Sequence, residues 1–442
     1  MAVFLYGVNM LSKYCFFHKT DSNQYIVFNS LLFEPIVIEE KEYLDLRDDN
    51  LKVFSDEELA LLKQKGIIVQ DDNTDNLALS KLKQHVNSAI QGGISLIYII
   101  PSNICNLACK YCFIGQLNQS KIEISTEIID KIISEYYNHL IKKNRSTATI
   151  VFYGGEPLTA FDKIKYTIEY CSKYKKIQWD FAVVTNLTLL TEEMAQYFEL
   201  HDVSIGVSID GPKATNDSNR IFKNNSNSVY ECVLNRIKIL KAHKINIGLS
   251  ITLTNELLND AKFLQWLEEL DIKDINYNLM HFTQKTTEWE DYYRKASAFL
   301  FTSDKVLSSK GIIDDRLQRK IKAFNAKEFK YNDCGAIGGH QLCFAPNGEV
   351  TVCHGFWNSS EQHCGNILHN SFSDIIQTQI FREWQNNLTV NKDKCLNCPA
   401  IYICGGGCAM QSHDLFGNLN AIDEAFCIHS KYTLEILLNN LV

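Results

Sequence analysis

Apolar and polar residues follow two rhythms along this chain, and they exchange regularly between residues 94 and 280. Short apolar or β-branched runs at 94–100, 149–152, 179–185, 203–208, 246–252 and 274–279 have the length of strands. Between them, 126–142, 161–174, 229–243 and 260–270 carry apolar residues at helical spacing. Repeated strand–helix units predict a parallel α/β sheet with right-handed crossovers. Such sheets bind ligands beyond the carboxyl ends of their strands, so chemistry is expected in the segments that follow each strand. Near the N-terminus, 24–29 and 32–38 read as strands. Ser55 opens a helix with capping character, Gly66 ends it, and 67–69 reads as a further strand. These patterns divide the chain into a small α+β unit (1–76, closed by the polar linker 70–76), a linker helix (77–93) and the repeated-unit region (94–280). A helical bridge (281–330) and a cysteine-rich unit (331–442) follow.

Composition narrows the class. A length of 442 residues predicts two or three domains, and 45% hydrophobic with 22% charged residues is ordinary for a soluble globular chain. No apolar run reaches the length of a membrane span. The N-terminus lacks a basic region followed by a cleavable apolar core, which predicts a cytoplasmic protein with no membrane partner. Fifteen cysteines in a cytosolic chain point to metal or redox work rather than disulfides. A net charge of −8 gives no reason to expect nucleic acid. A local basic cluster of Lys320, Lys322, Lys327 and Lys330 reads as a solvated face.

The most specific motif follows the first predicted strand. Cys105, Cys109 and Cys112 form C-x3-C-x2-C. Three close thiolates suit a [4Fe–4S] cluster with one iron left open for a ligand. A chance cluster of buried cysteines, or a zinc site completed by a distant fourth ligand, is the competing reading. After the second predicted strand comes Gly154-Gly155-Glu156-Pro157, where two glycines allow close backbone approach and Glu156 offers an acceptor for a cationic amine. Thr185-Asn186 and Ser208-Ile209-Asp210-Gly211-Pro212 follow the third and fourth.

The run C-x3-C-x-Tyr-C-Phe with the Gly-Gly-Glu-Pro segment resembles the signature of the radical S-adenosylmethionine (SAM) superfamily. The resemblance implies a partial (β/α)6 barrel whose open iron chelates the SAM amino and carboxylate groups. Reductive cleavage of SAM then yields a 5′-deoxyadenosyl radical that abstracts a hydrogen, with the protein supplying orientation and shielding. It further implies that Gly154, Gly155, Glu156 and Pro157 meet the SAM amino group. Thr185, Asn186, Ser208 and Asp210 would meet its ribose and methionine ends, and Arg220 its carboxylate. Tyr111 and Phe113 are candidates to lie near adenine, with core packing as the other reading of both rings; for Arg220 the other reading is a surface arginine.

A second constellation lies near the C-terminus. Cys334, Gly348 and Cys353, then Cys395-x2-Cys398-x5-Cys404-x3-Cys408 and Cys427, resemble the seven-cysteine SPASM extension of radical SAM enzymes that modify peptides and proteins. A zinc ribbon of Cys395, Cys398, Cys404 and Cys408 is the rival. The resemblance implies two auxiliary [4Fe–4S] clusters, hence three in all. Cys395, Cys398, Cys404 and Cys427 would hold one; Cys334, Cys353 and Cys408 would hold the other. For the latter, Cys343 is the preferred fourth ligand, Cys364 the alternative, and an open site for substrate the third option. Cys15, Cys171 and Cys232 read as ordinary buried thiols.

The N-terminal unit resembles the small winged-helix domain that captures leader peptides of ribosomally made natural products, which would pair an extended peptide with a sheet edge. A barrel-capping extension is the alternative. The SPASM resemblance leaves two subfamilies. Sulfatase-maturating enzymes place a basic aspartate after the cysteine equivalent to Cys353, where this chain has His354. That favours a peptide maturase installing a thioether, carbon–carbon or ether cross-link, with His354 as a candidate base or a structural histidine. The implied partners are a precursor peptide with its leader and a reductant such as flavodoxin or ferredoxin. A non-catalytic iron–sulfur electron carrier is the reading from another class; the retained Glu156, Ser208 and Asp210 argue against it, since a carrier has no use for SAM.

Overall fold

A computed structural model describes residues 9–112, 121–284, 286 and 288–441. Six parallel strands in chain order form the centre: β1 (Leu96–Ile99), β2 (Thr147–Phe152), β3 (Gln178–Thr185), β4 (Ser204–Ser208), β5 (Ile247–Leu253) and β6 (Asp274–Leu279). Their positions follow the apolar runs, because one face of each strand is covered: on β5, buried Ile247, Leu249, Ile251 and Leu253 alternate with half-buried Gly248, Ser250 and Thr252. Helix Thr126–Lys142 shows how the crossovers are built. The Ser125 hydroxyl caps it by accepting from the Ile128 amide at 3.2 Å, and Ile128, Ile129, Ile132, Ile133, Tyr136 and Leu140 form its buried stripe.

The sheet does not stop at six strands. A short strand, β7 (Ile313–Asp314), extends the β6 edge. At the other edge β8 (Gln341–Phe344) pairs parallel to β1, with Gln341 opposite Leu96 and Cys343 opposite Tyr98. The antiparallel strands β9 (Glu349–Thr351) and β10 (His363–Asn366) follow it outward. The cysteine-rich C-terminal unit is thus seeded on the barrel sheet itself, beside the strand that feeds Cys105.

At the N-terminus, strands Cys15–Lys19, Tyr25–Asn29 and Ile36–Ile38 form an antiparallel sheet, followed by helices Glu40–Arg47 and Asp56–Gln64. Ser55 and Glu58 form the capping box expected of the second helix, and Gly66 closes it at φ +68°. Residues 70–76 depart from the linker reading. Asp71 caps helix Asp72–Ile90, so most of that stretch is its first turn. The polar composition that suggested a linker is the Asp/Thr content of a helix start. This unit is buttressed by the C-terminal one: the fully buried Phe33 ring stacks on Tyr402 at 4.9 Å and meets Phe324 edge-on at 5.2 Å. Burying that ring contributes about 2–3 kcal/mol. Among the described residues no helix is long and apolar enough to cross a membrane.

Candidate active site and auxiliary cysteine sites

The loop after β1 is tied down on three sides. The Glu156 amide donates to the Ile104 carbonyl at 2.7 Å, and the Asn106 side chain donates to the Thr188 hydroxyl at 2.7 Å. The Ala108 amide donates to the Ile221 carbonyl at 2.7 Å. Cys105, Cys109 and Cys112 lie within electrostatic range of one another. Amide hydrogens are aimed at sulfur: the Leu107 N–H at 3.4 Å and the Asn186 amide at 3.8 Å both donate to Cys105 Sγ. Burial pushes the Cys105 thiol up to about 12, so it is neutral unless a cation binds it.

Gly155 explains the Gly-Gly-Glu-Pro turn. A Cβ there would lie 2.4 Å from the Ile104 carbonyl oxygen, so the close backbone approach is to the cysteine loop. Gly154 adopts φ +128°, a backbone conformation that L side chains rarely adopt. Pro157 is buried at the start of a short 3₁₀ turn. The buried Glu156 carboxylate accepts from Leu158 N (3.0 Å) and Thr185 Oγ1 (2.6 Å) through Oε1, and from Asn186 N (2.8 Å) through Oε2. Three of its four lone-pair directions are used and one on Oε2 remains. Burial pushes its pKa up to about 7, against the pull of those hydrogen bonds and of Arg220.

Arg220 is buried rather than on the surface. Its Nε donates to Asp210 Oδ2 at 2.8 Å, and the guanidinium sits 5.7 Å from the Tyr111 ring centroid. The fully buried Asp210 also accepts from the Tyr111 hydroxyl and, through Oδ1, from Thr252 N at 3.0 Å. Burial opposes the Arg220 charge, but Asp210 outweighs it and holds the guanidinium protonated. Arg220 also lies within electrostatic range of Cys109. Ser208 ends β4 opposite Ser250. Phe113 lies outside the described residues.

The C-terminal cysteines separate into two groups. Cys334, Cys353 and Cys408 interact electrostatically, and Cys343 reaches Cys353 from β8. Cys395, Cys398, Cys404 and Cys427 form the other group. Cys364 joins neither; it is sealed in the main core and interacts with Thr378. Cys171 lies in the same core, Cys232 donates to the Thr188 carbonyl at 3.7 Å, and Cys15 is half-buried near Asp75. All fifteen cysteines are free thiols. Backbone N–H groups again point at sulfur, as where Gly355 donates to Cys353 Sγ at 3.4 Å. By donor type, grouping and amide donors, the three sets fit iron–sulfur clusters. Among the described residues no group of three or more His, Cys, Asp or Glu converges on a single-ion position.

Comparison with known proteins agrees. A family model for the radical SAM superfamily matches residues 99–295, and one for an iron-sulfur cluster-binding domain (SPASM) matches 334–399. The protein is a radical SAM/SPASM enzyme. These two domains imply iron–sulfur clusters and SAM. The radical SAM cyclopropyl synthase TigE of Paramaledivibacter caminithermalis is 23% identical to it, over 95% of this chain and 93% of TigE. A cysteine-type anaerobic sulfatase-maturating enzyme of Clostridium novyi is 24% identical, over 77% of this chain and 94% of the relative. Streptococcus suis SuiB, solved bound to its precursor peptide SuiA, matches with a TM-score of 0.54 at 15% identity, covering 95% of this chain and 99% of SuiB. That match shows a shared fold.

Several residues of this radical SAM/SPASM enzyme carry no motif. Tyr98, Tyr153 and His354 pack as a triangle of rings, His354 lying 4.6 and 4.8 Å from the two tyrosine centroids, which are 6.0 Å apart. Tyr153 lies within electrostatic range of Cys112 and Arg220, and also of Cys353 and Cys343. It therefore bridges the first cysteine set and one auxiliary set. Burial lowers the His354 pKa to about 4, leaving a neutral imidazole at pH 7. Asp423 ties the two auxiliary groups together, accepting from Cys408 N at 3.0 Å and Phe426 N at 3.0 Å, beside Cys427. A lone aspartate or a tyrosine ending a strand has no signature spacing, so only packing reveals these roles.

Proposed function

We propose that the enzyme is a peptide maturase that installs a cross-link in a ribosomally made precursor peptide. The observation that carries this reading is Tyr153, which lies within electrostatic range of Cys112 and Arg220 and also of Cys353 and Cys343. Cross-linking removes two hydrogens from a peptide, one as a hydrogen atom and the other as a proton and an electron. Hydrogen abstraction and an electron acceptor are therefore needed side by side. In this reading Cys105, Cys109 and Cys112 hold the SAM-binding cluster. Cys395, Cys398, Cys404 and Cys427 hold one auxiliary cluster, while Cys334, Cys353 and Cys408 with Cys343 hold the other. When bound, the first cluster and SAM supply one-electron cleavage and hydrogen abstraction. The chain's own residues do the positioning. Glu156 receives the SAM ammonium on its remaining lone pair, Arg220 receives the carboxylate while Asp210 fixes its direction, and Gly154, Gly155 and Pro157 shape the turn. Thr185, Asn186 and Ser208 line the ribose and methionine side. Tyr111 braces Asp210, and His354 is the candidate base.

The N-terminal sheet presents edge strand Ile36–Ile38, in which Val37 is exposed, as a place where an extended leader can add a strand. The full-length match to a precursor-binding protein supports this assignment. The fifteen free thiols suit a reducing cytoplasm, with a flavodoxin- or ferredoxin-type electron donor. A second reading, oxidation of a cysteine or serine to formylglycine, is favoured by the Clostridium relative. Anaerobic reconstitution with SAM, reductant and a candidate precursor peptide separates the two. A peptide lighter by two hydrogens, carrying a new bond between two residues and accompanied by 5′-deoxyadenosine, is expected. Formylglycine in a sulfatase-type peptide, with the precursor untouched, would overturn the first reading.

SAM binding should weaken on acidification. Glu156, its pKa raised to about 7, protonates as pH falls and then offers the SAM ammonium no charge. Below about pH 7 the SAM Kd is expected to rise by up to about tenfold per pH unit. Calorimetric titration of the reconstituted enzyme checks this, with Glu156→Gln expected to bind weakly and without that pH dependence.

A further inference from the structure

The sequence suggested that Lys320, Lys322, Lys327 and Lys330 form a solvated basic face. Lys322 and Lys327 are exposed, but Lys320 is fully buried and Lys330 nearly so. Lys320 lies on helix Asp315–Ala326 and shares its buried side with Leu317 and Phe324. Its ammonium donates to the carbonyls of Ile403 at 3.3 Å and Cys404 at 3.2 Å. It lies 4.0 Å from Asp333 Oδ1 and 4.9 Å from the Phe426 ring centroid. Each neighbour adjoins an auxiliary cysteine: Asp333 precedes Cys334, Phe426 precedes Cys427, and Cys404 is itself one. The amine therefore stands between the two auxiliary groups.

Asp333, the carboxylate beside it, is shared with other cations. Asp333 takes Arg316 Nη1 at 3.1 Å and has Lys330 Nζ at 3.7 Å as well as Lys320. Asp314 faces Arg316, and Arg319 pairs with Asp315 at 2.9 Å. Asp423 accepts from the Cys408 and Phe426 amides and from Gln411. Arg316, Lys320 and Lys330 thus crowd around one carboxylate, Asp333. A buried ammonium that shares its carboxylate is stabilised by any further anion nearby, and thiolate-held clusters are anionic.

We propose that Lys320 is a positioning residue for both auxiliary clusters, its ammonium compensating their negative charge and raising their reduction potentials so that they accept an electron from substrate more readily. The inference rests on the assignment of the two cysteine groups to clusters made above. The two can fail separately. About 12 iron atoms per wild-type chain are expected for three clusters, and about 4 would sink the assignment itself.

The test is redox titration followed by electron paramagnetic resonance. It uses the full chain carrying Cys105→Ala, Cys109→Ala and Cys112→Ala, so that only auxiliary signals remain, and compares Lys320→Met with Lys320→Arg. For Lys320→Met, the oxidised-to-reduced ratio of at least one auxiliary cluster at fixed potential should rise about tenfold, a downward shift of ~59 mV for one electron. Lys320→Arg should keep the parent potentials. Loss of auxiliary iron in Lys320→Met but not in Lys320→Arg would equally support charge compensation. Unchanged potentials in a fully loaded Lys320→Met, or equal shifts or equal iron loss in both variants, would overturn it and leave Lys320 a packing residue.

Discussion

Replacing Cys105, Cys109 and Cys112 together by alanine is expected to abolish SAM cleavage while sparing the auxiliary sites. 5′-Deoxyadenosine should fall below detection, and iron should drop from about 12 to about 8 atoms per chain. The physical basis is separation. The first three cysteines sit on a loop after β1, tied to the Glu156 turn and to Thr188 and Ile221. The other two groups are built on the turn before β8, on β8 and the segments that follow it, and on the C-terminal helices. The first set and the other two thus rest on different segments of the chain, so its removal is expected to spare them. Complete loss of iron, or surviving cleavage, would show that the three groups do not act as separate sites.

The second large effect is expected at Asp210. Its carboxylate is fully buried and meets Arg220 Nε, the Tyr111 hydroxyl and Thr252 N together. Asp210→Ala leaves a buried guanidinium without its partner, which costs about 3–5 kcal/mol. It also frees Arg220 to turn away from the position argued for the SAM carboxylate. A marked fall in thermal stability and loss of SAM binding are expected. The double variant Asp210→Ala/Arg220→Met should recover much of the stability and none of the binding, because the stranded charge is gone but the recognition is not restored. Equal destabilisation of the single and double variants would show that the ion pair is not the cause.

Much of the architecture was legible in one dimension. The six central strands and helix Thr126–Lys142 lie where the apolar periodicity put them, because each is decided by its own burial pattern and caps. The cysteine, Gly-Gly-Glu-Pro and Asp210 segments could be placed at strand ends for the same reason, since motif and strand are adjacent in the chain. Residues 70–76 were misread because a helix start and a linker share a polar composition. Lys320 was misread because its charge outweighed its spacing, although Leu317, Lys320 and Phe324 fall on one helical face.

What the sequence by itself determined is the chemistry: three cysteine sets of recognisable spacing and a barrel to carry the first. Only the tertiary structure decided how they stand to one another. It paired β8 with β1, which brought Cys343 beside Cys353 and left Cys364 in the core. It set Tyr98, Tyr153 and His354 between the first site and an auxiliary one, and it buried Lys320 between the two auxiliary groups. The β8–β1 pairing and the contacts of His354 with Tyr98 and Tyr153 join residues more than two hundred positions apart. Local propensity carries no information about such pairs, because they exist only once the sheet has chosen its neighbours and the core has closed.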